Sequence, residues 1–177
     1  MNVHRILRAA ESARELDRPA AIVATSVRRV LGQGRLADWA RGSFLGHPIH
    51  PILVTLPIGA WSSAAVMRLA GHNDTARQLV LIGLLAVPPT VATGLADFPD
   101  LDTYQRRVGV IHAASNTVAT LLFSAAYRSH DDRMSTAFGA AGLAMAGAGG
   151  ALGGHLAYAL GAGVHRWQNA AAPAPVD

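Results

Sequence analysis

Eight histidines and no cysteine define the chemistry open to this chain. Without thiols it forms no disulfide, ligates no iron–sulfur cluster and offers no cysteine nucleophile. Neither a Gly-x-Ser-x-Gly elbow nor a His-Glu-x-x-His helix occurs, so a hydrolase is the weaker expectation. Imidazole chemistry remains. Neutral histidine nitrogens suit zinc, copper, iron and nickel, and they serve as axial ligands to haem iron. His4, His72 and His130 lie in charged, polar stretches and are set aside. His47, His50, His112, His155 and His165 lie in or beside apolar sequence, where polar groups tend to mark function.

The run His47-Pro48-Ile49-His50-Pro51 shows how the first pair is held. A residue before proline is pushed out of the helical region, so both histidines are expected to be extended. Pro51 suits the first position of a helix, leaving His50 as its cap. The positive helix end there disfavours an imidazolium and favours the neutral, ligating form.

The elements that must position these residues follow from charge and hydropathy. Of the 177 residues, 51% are hydrophobic and 15% charged, against roughly 25% charged in an ordinary soluble domain. All 15 basic residues are arginine. Residues 1–46 hold eight of them against four acids, and residues 47–177 hold seven against seven, so the net +4 sits in the leader. Uncharged runs at 42–67, 78–96, 108–127 and 134–165 are long enough to cross a bilayer. The reading is all-α: an integral membrane four-helix bundle within 47–165, with spans at about 51–70, 77–96, 108–127 and 136–160. An Arg-rich helical leader over 1–46 precedes it, either lying on anionic lipid or in the cytoplasm. Residues 166–177 form a disordered tail. Eleven arginines fall on the side of the N-terminus and four (Arg68, Arg77, Arg128, Arg133) on the other, which puts both termini in the cytoplasm. The leader alone is too short a basic segment to suggest nucleic acid.

Alternating helix direction brings His50, His112 and His155 to the same side, His112 and His155 roughly 6–8 Å inside their helix ends. They are expected to share one pocket. Asp97 ends the second span, with Thr93 and Thr90 at helical spacing behind it, and Asn116 lies one turn from His112. Asp97 and Asn116 are the expected outer partners that orient ligating imidazoles, although Asp97 is equally suited to an ion pair with Arg106 or Arg107. Gly150 and Gly154 have the small-xxx-small spacing that packs membrane helices and offers a route to oligomers. Gly153 and Gly154 would also leave room beside His155 for a flat macrocycle. Pro57 and Pro88-Pro89 are expected to kink their helices and free carbonyls inward.

The blocks FLGHPIHPILVTLPIGAW, TGLADFPDL, RRVGVIHAASNTVATLLF and GGALGGHLAYALGAGV resemble those of a bacterial family of predicted four-helix membrane proteins, the domain of unknown function 2231 family. The resemblance runs from about Leu16 to Val164. It implies a multi-pass protein of the bacterial inner membrane, with His47, His50, Asp97, His112, Asn116 and His155 at the family's recurrent polar positions. Some relatives have a further histidine where Thr55 stands. Some are linked to Rieske domains, which implies a redox partner of that kind. Three readings follow. In the first, His112 and His155 ligate haem b for membrane electron transfer, with Arg106 or Arg107 near the propionates and Gly153 and Gly154 beside the ring. In the second, His47, His50, His112 and His155 hold a transition-metal ion. In the third, the polar cluster only fixes helix register in a structural subunit.

Overall fold

The computed structural model describes residues 3–32, 34–164 and 166–167. His165 and the tail from residue 168 lie outside them. Three helices form the leader: α1 (Val3–Ser12), α2 (Asp17–Leu31) and α3 (Arg35–Arg41). Five follow: α4 (His50–Leu53), α5 (Thr55–Leu69), α6 (Asn73–Asp97), α7 (Thr103–Arg128) and α8 (Asp132–Gly154), the last continued by a π-helical turn over His155–Ala159. Among the described residues there is no strand.

Local chemistry explains the helix ends. Asp102 accepts from the Gln105 amide at 2.9 Å while the Gln105 side chain accepts from the Asp102 amide at 3.0 Å, a capping box that starts α7. Asp131 caps α8 through the Met134 amide at 2.8 Å. Pro57 has no amide to offer the Leu53 carbonyl, and the chain breaks between α4 and α5 at Val54. Helix α6 runs on through Pro88-Pro89. His50 is the first residue of α4 rather than an extended cap. The turn begins one residue earlier, because Leu53 donates to the Ile49 carbonyl and Val54 to that of His50, both at 3.0 Å.

Four stretches are long and apolar enough to span: His50–Leu69, Asn73–Asp100, Thr103–Arg128 and Asp132–Ala159. Only 22% of each span's most apolar window is buried, and Leu56, Leu85 and Leu121 stand more than half exposed on the outside. Such surface is stable against lipid and not against water. The protein is an all-α, multi-pass membrane bundle. Helices α5 and α6 pack as one antiparallel pair, α7 and α8 as another. The loops at 70–72 and 129–131 lie at the far end; the leader lies at the other.

The leader docks onto the bundle. Ala10, Ala20, Ala24 and Ala37 are buried, with Ala20 and Ala24 against Phe98. Arg107 is buried and grips Asp17 through Nε and Nη2 at 2.6 and 2.8 Å, while its Nη1 donates to the Glu11 carbonyl. Arg28 donates to the Pro99 carbonyl at 2.6 Å and Arg41 to that of Ala96 at 2.9 Å. Ile22 and Val30 stay exposed, yet the face that seats the leader is a protein contact, not a lipid one.

Candidate functional site

Two imidazoles meet inside the leader end. The rings of His50 and His112 lie 6.2 Å apart between centroids and nearly perpendicular. His50 Nδ1 is 2.9 Å from the Thr90 carbonyl, joining α4 to α6. His112 Nδ1 is 2.8 Å from the Gly149 carbonyl, joining α7 to α8. A carbonyl only accepts, so Nδ1 carries the proton in both rings, and in the neutral imidazole Nε2 then keeps its lone pair. Asn116 Nδ2 donates to the His112 carbonyl at 2.9 Å and stands 3.3 and 3.2 Å from Nδ1 and Nε2. Being equidistant from the two ring nitrogens, it is in line with neither lone pair. Among the described residues, His50 Nε2 has no hydrogen-bond partner.

Glycines make the space these groups fill. A Cβ at Gly94 would come 2.9 Å from the His50 ring, one at Gly153 3.0 Å from His112 Cε1, and one at Gly149 2.6 Å from Asn116 Oδ1. Gly42 has φ +95°, and a Cβ there would stand 2.2 Å from the His47 carbonyl. Only glycine lets the His47–His50 segment fold back onto α3. Behind His50, the Thr93 hydroxyl donates to the Thr90 carbonyl at 2.9 Å, so that carbonyl holds two donors.

Several expectations are corrected here. His155 does not join the pair: its Nε2 is 2.7 Å from Glu11 Oε1. The π turn begins at His155 and the docked leader supplies the carboxylate, so the ring is held toward α1. His47 is exposed in the turn before α4. Asp97 pairs with Arg166 instead of a ligating histidine, Arg106 or Arg107. Arg106 donates to the Pro99 carbonyl through Nη2, its buried Nε having no hydrogen-bond partner among the described residues, while Arg107 is bound to Asp17 and does not wait for a propionate. Gly153 leaves no slot for a macrocycle, because the His112 ring fills it; Gly154 has only Tyr158 Cδ2 nearby, at 4.0 Å. Among the described residues, no three His, Asp or Glu side chains converge as a metal-holding group.

Residues 46–166 match the domain of unknown function 2231 family, described as predicted membrane proteins. The chain belongs to this family. No curated protein and no solved structure matches it. For a member of the 2231 family, the new elements are those outside the expected polar set. Gly94 seats the His50 ring, and Glu11, Asp17 and Arg166 bind His155, Arg107 and Asp97, the expected site residues that lie outside the pair; sequence reasoning passed over each. Glu11 had a signal: it lies four residues after Leu7 and next to Ala10, both of which pack against the bundle core. Gly94 had one too, at one turn from Thr90.

Proposed function

We propose that His50 and His112 ligate one transition-metal ion at the leader end, making this a metal-binding membrane protein, with haem b the less favoured occupant. The observation that carries the reading is the fate of the ring nitrogens. Each Nδ1–H is fixed by a backbone carbonyl, the usual outer support of a ligating imidazole, and among the described residues His50 Nε2 has no hydrogen-bond partner while His112 Nε2 has only the off-line Asn116 amide at 3.2 Å. Metal–nitrogen bonds of about 2.0–2.1 Å to two imidazoles place their ring centres about 5 Å apart at a tetrahedral angle and about 6.4 Å apart in a linear pair, so the 6.2 Å found lies at the linear end of that range. Two protein ligands leave positions for water or an incoming molecule. Haem is less favoured because His155, Arg107 and Gly153 are engaged elsewhere.

The arginine asymmetry supports placing the leader end in the cytoplasm of a bacterial cell, with the spans in its inner membrane. If the bound metal is redox-active, a Rieske-type protein is the partner the family resemblance supplies. Reporter fusions at both termini and cysteines at positions 73 and 131 test the orientation; labelling of those loops only from the cytoplasm refutes it.

A structural reading has its own support, since the same two Nδ1 bonds clamp α4 to α6 and α7 to α8. Metal analysis of tag-free protein, stripped and reloaded with copper, zinc, nickel or iron, separates the two. About one equivalent, lost in His50→Ala and in His112→Ala but kept in His155→Ala, is the expected result. A Soret band lost in His112→Ala and His155→Ala would restore haem. Neither metal nor chromophore, in membranes as well as detergent, leaves the clamp.

A further inference from the structure

The far end carries a feature the imidazole pair does not use. Between α5 and α8 an almost wholly apolar groove of about 170 Å³ is floored by Trp61, Ala64 and Phe123 and walled by Ala65 and Gly139. A Cβ at Gly139 would meet nothing within 4 Å. Leu69, Thr136 and Ala140 on its rim are exposed, so it opens sideways into the bilayer. At its outer end stands Arg68. Nη2 of Arg68 donates to the Ser135 hydroxyl at 2.9 Å. Its Nη1 is buried and, among the described residues, makes no hydrogen bond; Asp132 Oδ1 is 3.7 Å away. Asp132 is already engaged, since its Oδ2 accepts from Asn73 at 2.9 Å. Beyond Arg68 the depression continues to Arg133 at the surface.

We propose that this groove binds one anionic phospholipid, an acyl chain in the cleft and the phosphate between Arg68 and Arg133. Three observations fix the occupant. The cleft lies within two spans and faces hydrocarbon, so an acyl chain needs no dehydration to enter it. The seven residues from Arg68 back to Trp61 rise about 10 Å, which runs the cleft from phosphate level into the chain region. Two arginines against one aspartate leave the mouth positive, and the orphan Nη1–H lacks an acceptor that a phosphate oxygen provides.

Trp61 reports the occupant directly. In a Trp39→Phe, Trp167→Phe background it is the single tryptophan, and lipids brominated part-way down the chain quench it on contact. In phosphatidylcholine vesicles, brominated phosphatidylglycerol is expected to quench Trp61 several-fold more effectively than brominated phosphatidylcholine. Arg133→Gln should reduce that preference about fivefold, the worth of one arginine at a lipid surface. Gly139→Leu, which fills open space, should remove quenching by both lipids while helicity and the Trp61 emission maximum stay unchanged. Equal quenching by the two lipids overturns the proposal. So does no quenching of Trp61, or quenching that Gly139→Leu leaves intact. If the Arg133→Gln preference is unchanged, retention of phosphatidylglycerol by Arg68→Gln in native mass spectrometry decides, and full retention overturns it.

Discussion

At the far end of the bundle, Gly83 and Gly142 leave room for a stack of Trp61 on Phe123, centroids 4.1 Å apart; at the leader end, Gly94 and Gly153 leave room for the rings of His50 and His112. Both halves seat rings in sockets where a Cβ would collide. The far half uses rings that need little beyond dispersion and burial, plus one Trp61 Nε1–H on the Val80 carbonyl at 3.3 Å. The leader half uses rings that must each find a carbonyl. Packing alone is met more simply by the first solution. The second brings imidazole nitrogens into the bilayer, and that is its distinguishing product.

This contrast can be broken by substitution. Phe123→Ala removes a side chain that is 1% exposed and should cost about 3–5 kcal/mol, read as a shift in detergent unfolding, with Phe123→Leu recovering over half. Gly149→Ala comes next. Its Cβ would meet Asn116 at 2.6 Å, and overpacking of this kind costs about 1–3 kcal/mol. His112→Phe and His50→Phe should cost less, on the order of 0.6 kcal/mol each, the average for a hydrogen bond between membrane helices. They should abolish metal retention all the same. A loss as large as that of Phe123→Ala would mean that the imidazoles are core residues first and erase the contrast.

The smallest effect lies outside the spans. The hydrogen bond from Arg107 holds the Asp17 carboxyl below its usual range. A carboxyl with a lowered folded-state value stabilises the docked leader above the ordinary carboxylate range, and that contribution fades as pH falls through the folded value. Hydrogen exchange of α1 and α2 should therefore rise modestly in acid below about pH 4. In Asp17→Asn it should be raised already at neutral pH and lose that acid step.

The four spans were legible because each is a long uncharged run, and nothing else in the bilayer satisfies so much backbone. The depth of His50 and His112 was legible as well, since helix direction and rise fix it. The partner of His155 was not. Depth says how far along an axis a residue lies, but facing depends on phase, and the π turn at His155–Ala159 adds a residue to the last turn. Arginine pairing was likewise hidden: Arg107 finds Asp17 ninety positions away, and nothing local in sequence marks that contact. The glycine set of α8 read only as small residues for helix packing and a gap beside His155. The structure divides it into Gly142, Gly149 and Gly153, which receive side chains, and Gly139, Gly147 and Gly150, which meet nothing within 4 Å.

The docked leader also imposes an order on assembly. Glu11 is made 144 residues before His155, the group it binds. At about 5–20 residues per second, α1 waits roughly 7–30 s during synthesis for that partner. Until the fourth span has been threaded, the leader can hold Arg107 but not close on His155. Closure on His155 thus follows synthesis of the fourth span, and a chain truncated before α8 lacks that anchor for α1.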